Sequence, residues 1–103
     1  MKTDAIVEIG IDATGQLFVR PATQKFLHIW RDAAEVHWDE KGGFLFSPKP
    51  RDWSYFDWYR HIIEVAKNGD GGGCILEVNG ATVRTHIPPA LQQQILNLKL
   101  PTK

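Results

Sequence analysis

Cys74-Ile75-Leu76-Glu77-Val78-Asn79-Gly80-Ala81-Thr82-Val83-Arg84-Thr85-His86-Ile87 is the stretch whose reading decides the fold. Two alternating segments flank Asn79-Gly80, and that dipeptide between such segments favours a type I′ hairpin turn. The stretch therefore reads as a hairpin, Cys74 to Val78 against Ala81 to Ile87. Pairing Val78 with Ala81 puts Cys74, Leu76, Val78, Val83, Thr85 and Ile87 on one face. Ile75, Glu77, Thr82, Arg84 and His86 fall on the other, so the sole cysteine goes to the core.

Outward from this hairpin, Pro88 and Pro89 open a short helix in which Leu91, Ile95 and Leu98 lie at helical spacing. On the N-terminal side, Gly69 to Gly73 is a slack connection, preceded by a helix that ends at Asn68-Gly69. At 100° per residue, Tyr55, Phe56, Trp58, Tyr59, Ile62, Ile63, Val65 and Ala66 share one half of that helix. Asp57, Arg60, His61, Glu64 and Lys67 take the other. Asp52 or Ser54 is the cap, and Ser54 with Asp57 three residues on resembles a shortened capping box.

Two more hairpins precede the helix. Val7, Ile9 and Ile11 alternate with polar or small residues; Asp12 to Gln16 forms a turn with Gly15 free to take positive φ, and Leu17 to Arg20 returns. Pro21 ends that strand. Glu35 to Trp38, a turn over 39–43 and Phe44 to Ser47 form the second, closed by Pro48 and Pro50. Residues 22–33 read as a loop with a helical turn. The sum is a single α+β domain over 1–103, with 1–4 and 99–103 frayed: an antiparallel meander of about six strands in three hairpins, with one long aromatic-rich helix and a short C-terminal helix packed on one face.

Composition narrows the function classes. The 103 residues carry 12 Lys plus Arg against 12 Asp plus Glu. A neutral chain lacks the basic footprint of a binder of nucleic acid or anionic membrane, so neither is expected as a partner. No apolar run reaches the ~18 residues a bilayer requires, and the N-terminus alternates instead of forming a signal-peptide core. One cysteine forms no internal disulfide, which suits a reducing, cytoplasmic setting.

Ten of the eleven aromatic residues lie between Phe26 and Tyr59. Aromatic side chains each bury roughly 150–250 Å², so most of them have a core to build. The stripe nevertheless exceeds what one helix-on-sheet layer needs, and Trp30, Trp53 and Trp58 are candidates to line an apolar pocket or interface. Arg31, His37, Trp38 and His61 complete the candidate binding set. Asp57, His61 and Glu64 at i, i+4 and i+7 are a possible base and its orienting carboxylates, but their shared face with Arg60 and Lys67 reads as exposed helix pairing. No metal site is expected: ligand spacing of the His-Glu-x-x-His type, a Cys pair and an acidic calcium loop are all missing. The glycine run lacks the Gly-Lys-Ser/Thr ending of a phosphate loop, and no cofactor is expected.

The stretches Val-Glu-Ile-Gly-Ile-Asp-Ala-Thr-Gly at 7–15, Glu-Val-His-Trp-Asp at 35–39, Gly-Gly-Phe-Leu-Phe-Ser-Pro-Lys-Pro at 42–50 and Trp-Ser-Tyr-Phe-Asp-Trp-Tyr at 53–59 give the chain its family look. It resembles small uncharacterised bacterial proteins carried in mobile integron gene cassettes and, less closely, the immunity proteins of toxin systems. The resemblance implies a compact α+β protein of unassigned activity, often oligomeric, and transfers no catalytic residue. The functional expectation is a non-enzymatic module that binds a protein partner, a second copy of itself or a small apolar ligand through its aromatic surface. The alternatives are a small enzyme with a His or Asp base at the rim, His37 or His61, and a toxin-neutralising protein.

Overall fold

A computed structural model describes residues 2–26, 35–48, 53–67 and 74–99. Six strands and two helices follow in the order β1 (Lys2–Ile11), β2 (Leu17–Pro21), β3 (His37–Asp39), β4 (Phe44–Phe46), α1 (Tyr55–Lys67), β5 (Cys74–Glu77), β6 (Val83–Thr85) and α2 (Pro89–Lys99). The sheet order is β3-β4-β2-β1-β5, with β6 also pairing with β1. The α+β class and the first two hairpins match the sequence reading. The third hairpin does not exist, and the sheet is mixed.

Both β5 and β6 run parallel to β1: Lys2 to Ala5 pair with Cys74 to Glu77, and Glu8 to Gly10 with Val83 to Thr85. One edge strand is thus laid along β1 in two pieces. Between the pieces the chain spends five residues, 78–82, where β1 spends two, 6 and 7. The excess is taken up by a turn in which Asn79 is the first residue: Thr82 N donates to Asn79 O at 3.1 Å and Ala81 N to Asn79 Oδ1 at 2.8 Å. A type I′ turn needs positive φ at both central residues. Neither Asn79 nor Gly80 has it, and the chain resumes its original direction. Thr82 Oγ1 pins the turn, donating to Ile6 O at 2.6 Å while accepting from Asn79 N at 2.9 Å.

The excursion also overturns half of the expected face. Cys74, Leu76 and Val78 are buried, whereas Val83 is 55% exposed and Thr82 is buried in its place. A second irregularity resets β1. Ile6 faces Pro21 and Glu8 faces Arg20, so Val7 is an extra residue on β1. Ile6 and Ile9, three apart, therefore both enter the core, and Val7 stays 43% exposed. Residues 2–4, expected at a frayed end, are hydrogen-bonded strand.

The core gathers Ile6, Ile9, Leu17, Val19, Val36 and Leu45 from the sheet side with Trp58, Tyr59, Ile62, Val65 and Ala66 of α1 and Leu91 and Ile95 of α2. Register places a different set on the sheet's opposite face: Phe46, Phe18, Gly10 and Thr85 lie side by side across β4, β2, β1 and β6. There Phe18 packs 5.4 Å from Phe44, the Arg20 guanidinium sits over Phe44, and Arg20 Nε lies 3.5 Å from Glu8 Oε1. Arg20 Nη1 also donates to Gly42 O, which ties β2 to the β3–β4 turn.

Candidate functional site

The start of α1 is built as the capping rules require. Asp57 N donates to Ser54 Oγ at 3.1 Å and Ser54 N donates to Asp57 Oδ2 at 3.2 Å, a reciprocal capping box. With Ser54 as the cap, Trp53 stands one residue outside the helix and Trp58 at its fourth position, where a hydrophobic staple forms. Their ring centroids are 4.7 Å apart. His61, one turn further along, meets both indoles edge-on, at 5.3 Å from Trp53 and 5.7 Å from Trp58.

The two indoles differ sharply in solvation. Trp58 is 7% exposed and belongs to the core, and its Nε1–H finds no acceptor among the described residues. Trp53 is 45% exposed. It forms one end of an open groove of about 720 Å³ that runs beside α1. Ile63 and Ile75 supply apolar wall, and Asp57, Arg60, His61, Glu64 and Lys67 supply a rim with two acids and two bases. Asp57 and Arg60 already touch, Oδ1 to Nη2 at 3.8 Å, and the Arg60 guanidinium lies 5.5 Å from the Phe56 ring centre.

The other sequence candidates lie elsewhere. His37 stacks on Phe46 at 5.4 Å, on the face turned away from the core. Trp38 points the opposite way from the same strand, packs edge-on against Phe26 at 5.8 Å and borders a smaller hollow of about 180 Å³ near Pro21 and Gln24. Its Nε1–H is also buried and finds no acceptor among the described residues. Trp30 and Arg31 lie outside the described residues. Of the candidate set, the structure thus brings together Trp53, Trp58 and His61. Sequence reasoning assigned Arg60 and Lys67 to solvent and Ile63 and Ile75 to no site. A wheel sorts one helix by polarity but does not show which neighbouring edge, here β5, turns a polar stripe into a groove wall. No group of three or more His, Cys, Asp or Glu able to hold a metal occurs among the described residues, and no helix among them is long and apolar enough to cross a membrane.

Residues 4–81 match the family described as Integron Cassette Protein Hfx_Cass5. The chain belongs to that family. A solved structure described as "Structure from the mobile metagenome of North West Arm Sewage Outfall: Integron Cassette Protein Hfx_Cass5" shares 34% identity, covering 94% of this chain and 95% of that one, with a TM-score of 0.48. Among curated proteins, none matches the chain. Membership in the Hfx_Cass5 family places the chain among integron cassette proteins.

Proposed function

We propose that this cassette protein is a non-enzymatic interaction module whose groove beside α1 receives a protein partner against the Trp53 indole. The observation that carries the reading is the contrast between stapled indoles: Trp58 fills the core while Trp53, with the same partner ring, leaves nearly half its surface at the mouth of a groove. Held by the staple, the exposed ring is already ordered, so little entropy is lost when a partner covers it. An aromatic anchor ringed by charges has the make-up of an interface centre with a polar rim. The groove is open along its length, which suits a protein surface better than a small molecule, since small-molecule sites bury about 70–90% of their ligand. The lone buried Cys74 fits a cytoplasmic working place.

An apolar fluorescent probe such as anilinonaphthalene sulfonate tests the groove without knowledge of the partner. The folded chain is expected to bind it and to lose about tenfold in affinity on Trp53→Ser or Ile63→Ser, whereas Phe46→Ser on the opposite face leaves binding unchanged. Binding that ignores both groove substitutions overturns the reading.

A further inference from the structure

The segment that leaves β2 and the turn joining β3 to β4 meet around a hollow of about 180 Å³, which shares no lining residue with the groove beside α1. Residues 21–25 form one bank, Glu40 and Gly43 the other, and Trp38 completes the lining. An aspartate fixes the backbone of each bank. Asp4 Oδ2 accepts from Thr23 N at 2.8 Å and from Gln24 N at 2.9 Å. Asp39 Oδ1 accepts from Lys41 N at 3.1 Å and from Gly42 N at 3.2 Å, while the Asp39 carbonyl accepts from Gly43 N at 2.7 Å. The Trp38 ring is held edge-on by Phe26 and packs against the core. The frame of the hollow is therefore set before anything enters it.

Two opposite charges line this space. Lys25 on one bank and Glu40 on the other are exposed, and among the described residues neither makes a hydrogen bond or an ion pair, with each other or with any other group. Elsewhere on the fold such charges meet directly, as Arg20 meets Glu8 and Arg60 meets Asp57. The carboxylates of Asp4 and Asp39 are taken up by backbone amides, so Glu40 is the acid left to receive a cation here. We infer that the hollow binds a small zwitterion of the amino-acid class: its carboxylate meets the Lys25 ammonium, its ammonium meets the Glu40 carboxylate, and its carbon skeleton lies against the Trp38 indole. An ion of one sign is attracted by one bank and repelled by the other, whereas a molecule carrying both signs satisfies the two at once. Size points the same way, since pockets for drug-sized ligands run from about 300 to 1,000 Å³ and this one is smaller. The site is independent of the reading of the groove as a protein interface and goes beyond it.

An NMR titration of the isotope-labelled chain with L-leucine tests this, read at the backbone amides of Thr23, Lys25, Glu40 and Gly43 and at the Trp38 indole N–H, which Trp38→Phe assigns. Saturable shifts centred on these signals are expected, with a Kd of about 1 mM, because charges on exposed side chains add modest affinity. N-acetyl-L-leucine lacks the ammonium and L-leucinamide lacks the carboxylate, and each is expected to bind about fivefold more weakly. Two variants tie each loss to its residue. In Glu40→Gln, leucine and its acetylated form are expected to bind alike; in Lys25→Met, leucine and its amide are expected to bind alike. Both positions are exposed and make no contact that the fold needs, so the variants report on binding alone. An absence of saturable shifts up to about 50 mM leucine, shifts centred on Trp53 and the α1 groove instead, or capped forms that bind as well as leucine would overturn the inference.

Discussion

The Phe18 ring lies across Gly10, so close that a Cβ at position 10 would stand 2.7 Å from the ring's Cζ and 2.8 Å from Thr85 Cβ. Gly10 is in the middle of β1, in ordinary extended backbone, where a glycine costs strand stability. Here it is the floor on which an aromatic ring rests, which is why Phe18 is only 8% exposed on the face turned away from the core. Gly10→Ala is expected to destabilise the fold by about 1–3 kcal/mol through overpacking. Combining it with Phe18→Leu is expected to cost less than the two changes summed, because the clash and the ring are removed together. Urea unfolding of the four proteins in the cycle measures this, and strict additivity would contradict the packing described.

Thr82 carries the second prediction. Its hydroxyl is buried and serves two backbone groups, the Ile6 carbonyl and the Asn79 amide, that the broken pairing along β1 leaves without ladder partners. Thr82→Val keeps the shape and removes both bonds. A loss of about 1–3 kcal/mol is expected, with most of it restored by Thr82→Ser. A Thr82→Val variant as stable as the native chain, with the loss appearing in Thr82→Ser, would place the effect in the methyl group's packing instead.

That turn also shows where the sequence stopped being readable. Alternation found β5 and the burial of Cys74, Leu76 and Val78, and the helical wheel found all five buried residues of α1. Both signals are local. Asn79-Gly80 is equally local, but its outcome depends on Ile6, whose carbonyl receives the hydroxyl of Thr82 across 76 positions of chain. A dipeptide able to adopt two turns is settled by the tertiary partner, and the choice decides whether the sheet is antiparallel or mixed. Val7 has the same lesson: its alternation with Ile9 and Ile11 is real, but the bulge shifts the phase and gives its place in the core to Ile6. For the candidate site, the density of aromatics between Phe26 and Tyr59 pointed to Trp53 and Trp58 alike, and only the packing separates the exposed indole from the buried one. The contribution of Ile75 was not readable, since it depends on β5 lying at the sheet edge beside α1.

Ser54 sets both the start of α1 and the position of Trp53. Ser54→Ala removes the acceptor of Asp57 N and is expected to cost about 1 kcal/mol. It is also expected to loosen the staple, so that the near-ultraviolet dichroism of the Trp53–Trp58 pair diminishes while the signal from the rest of the fold is kept. Ser54→Asp retains a capping oxygen and should preserve both. A dichroism band unchanged in Ser54→Ala would show that the indole pair is held independently of the cap.

The carboxylates of Asp4 and Asp12 give the fold an acid limit, and Tyr59 gives it an alkaline one. Burial pushes the Asp4 carboxyl up, but the backbone amides of Thr23, Gln24 and Ala5, with the Thr23 hydroxyl, pull it down further, and the net shift is below the ordinary 3.8. Burial likewise raises Asp12 against donors from Thr14, Gly15 and Gln16, again with a net lowering. A carboxylate whose folded pKa is depressed contributes stability above its unfolded value and loses it as the pH falls through the folded one. Stability is therefore expected to decline as the pH drops below 3.8, and to decline less in an Asp4→Asn/Asp12→Asn variant that is weaker at neutral pH. Tyr59 has the opposite sign: burial pushes its phenol from 10.0 up to about 12. Between those values the unfolded chain releases a proton that the folded chain keeps, so stability falls as the pH rises through that window. Carbon NMR titration of the two aspartates, with phenolate absorbance for Tyr59, checks all three groups, and Tyr59→Phe should flatten the alkaline decline. An aspartate midpoint at or above 3.8, or a phenol titrating at 10.0 in the folded chain, would contradict the assigned environments.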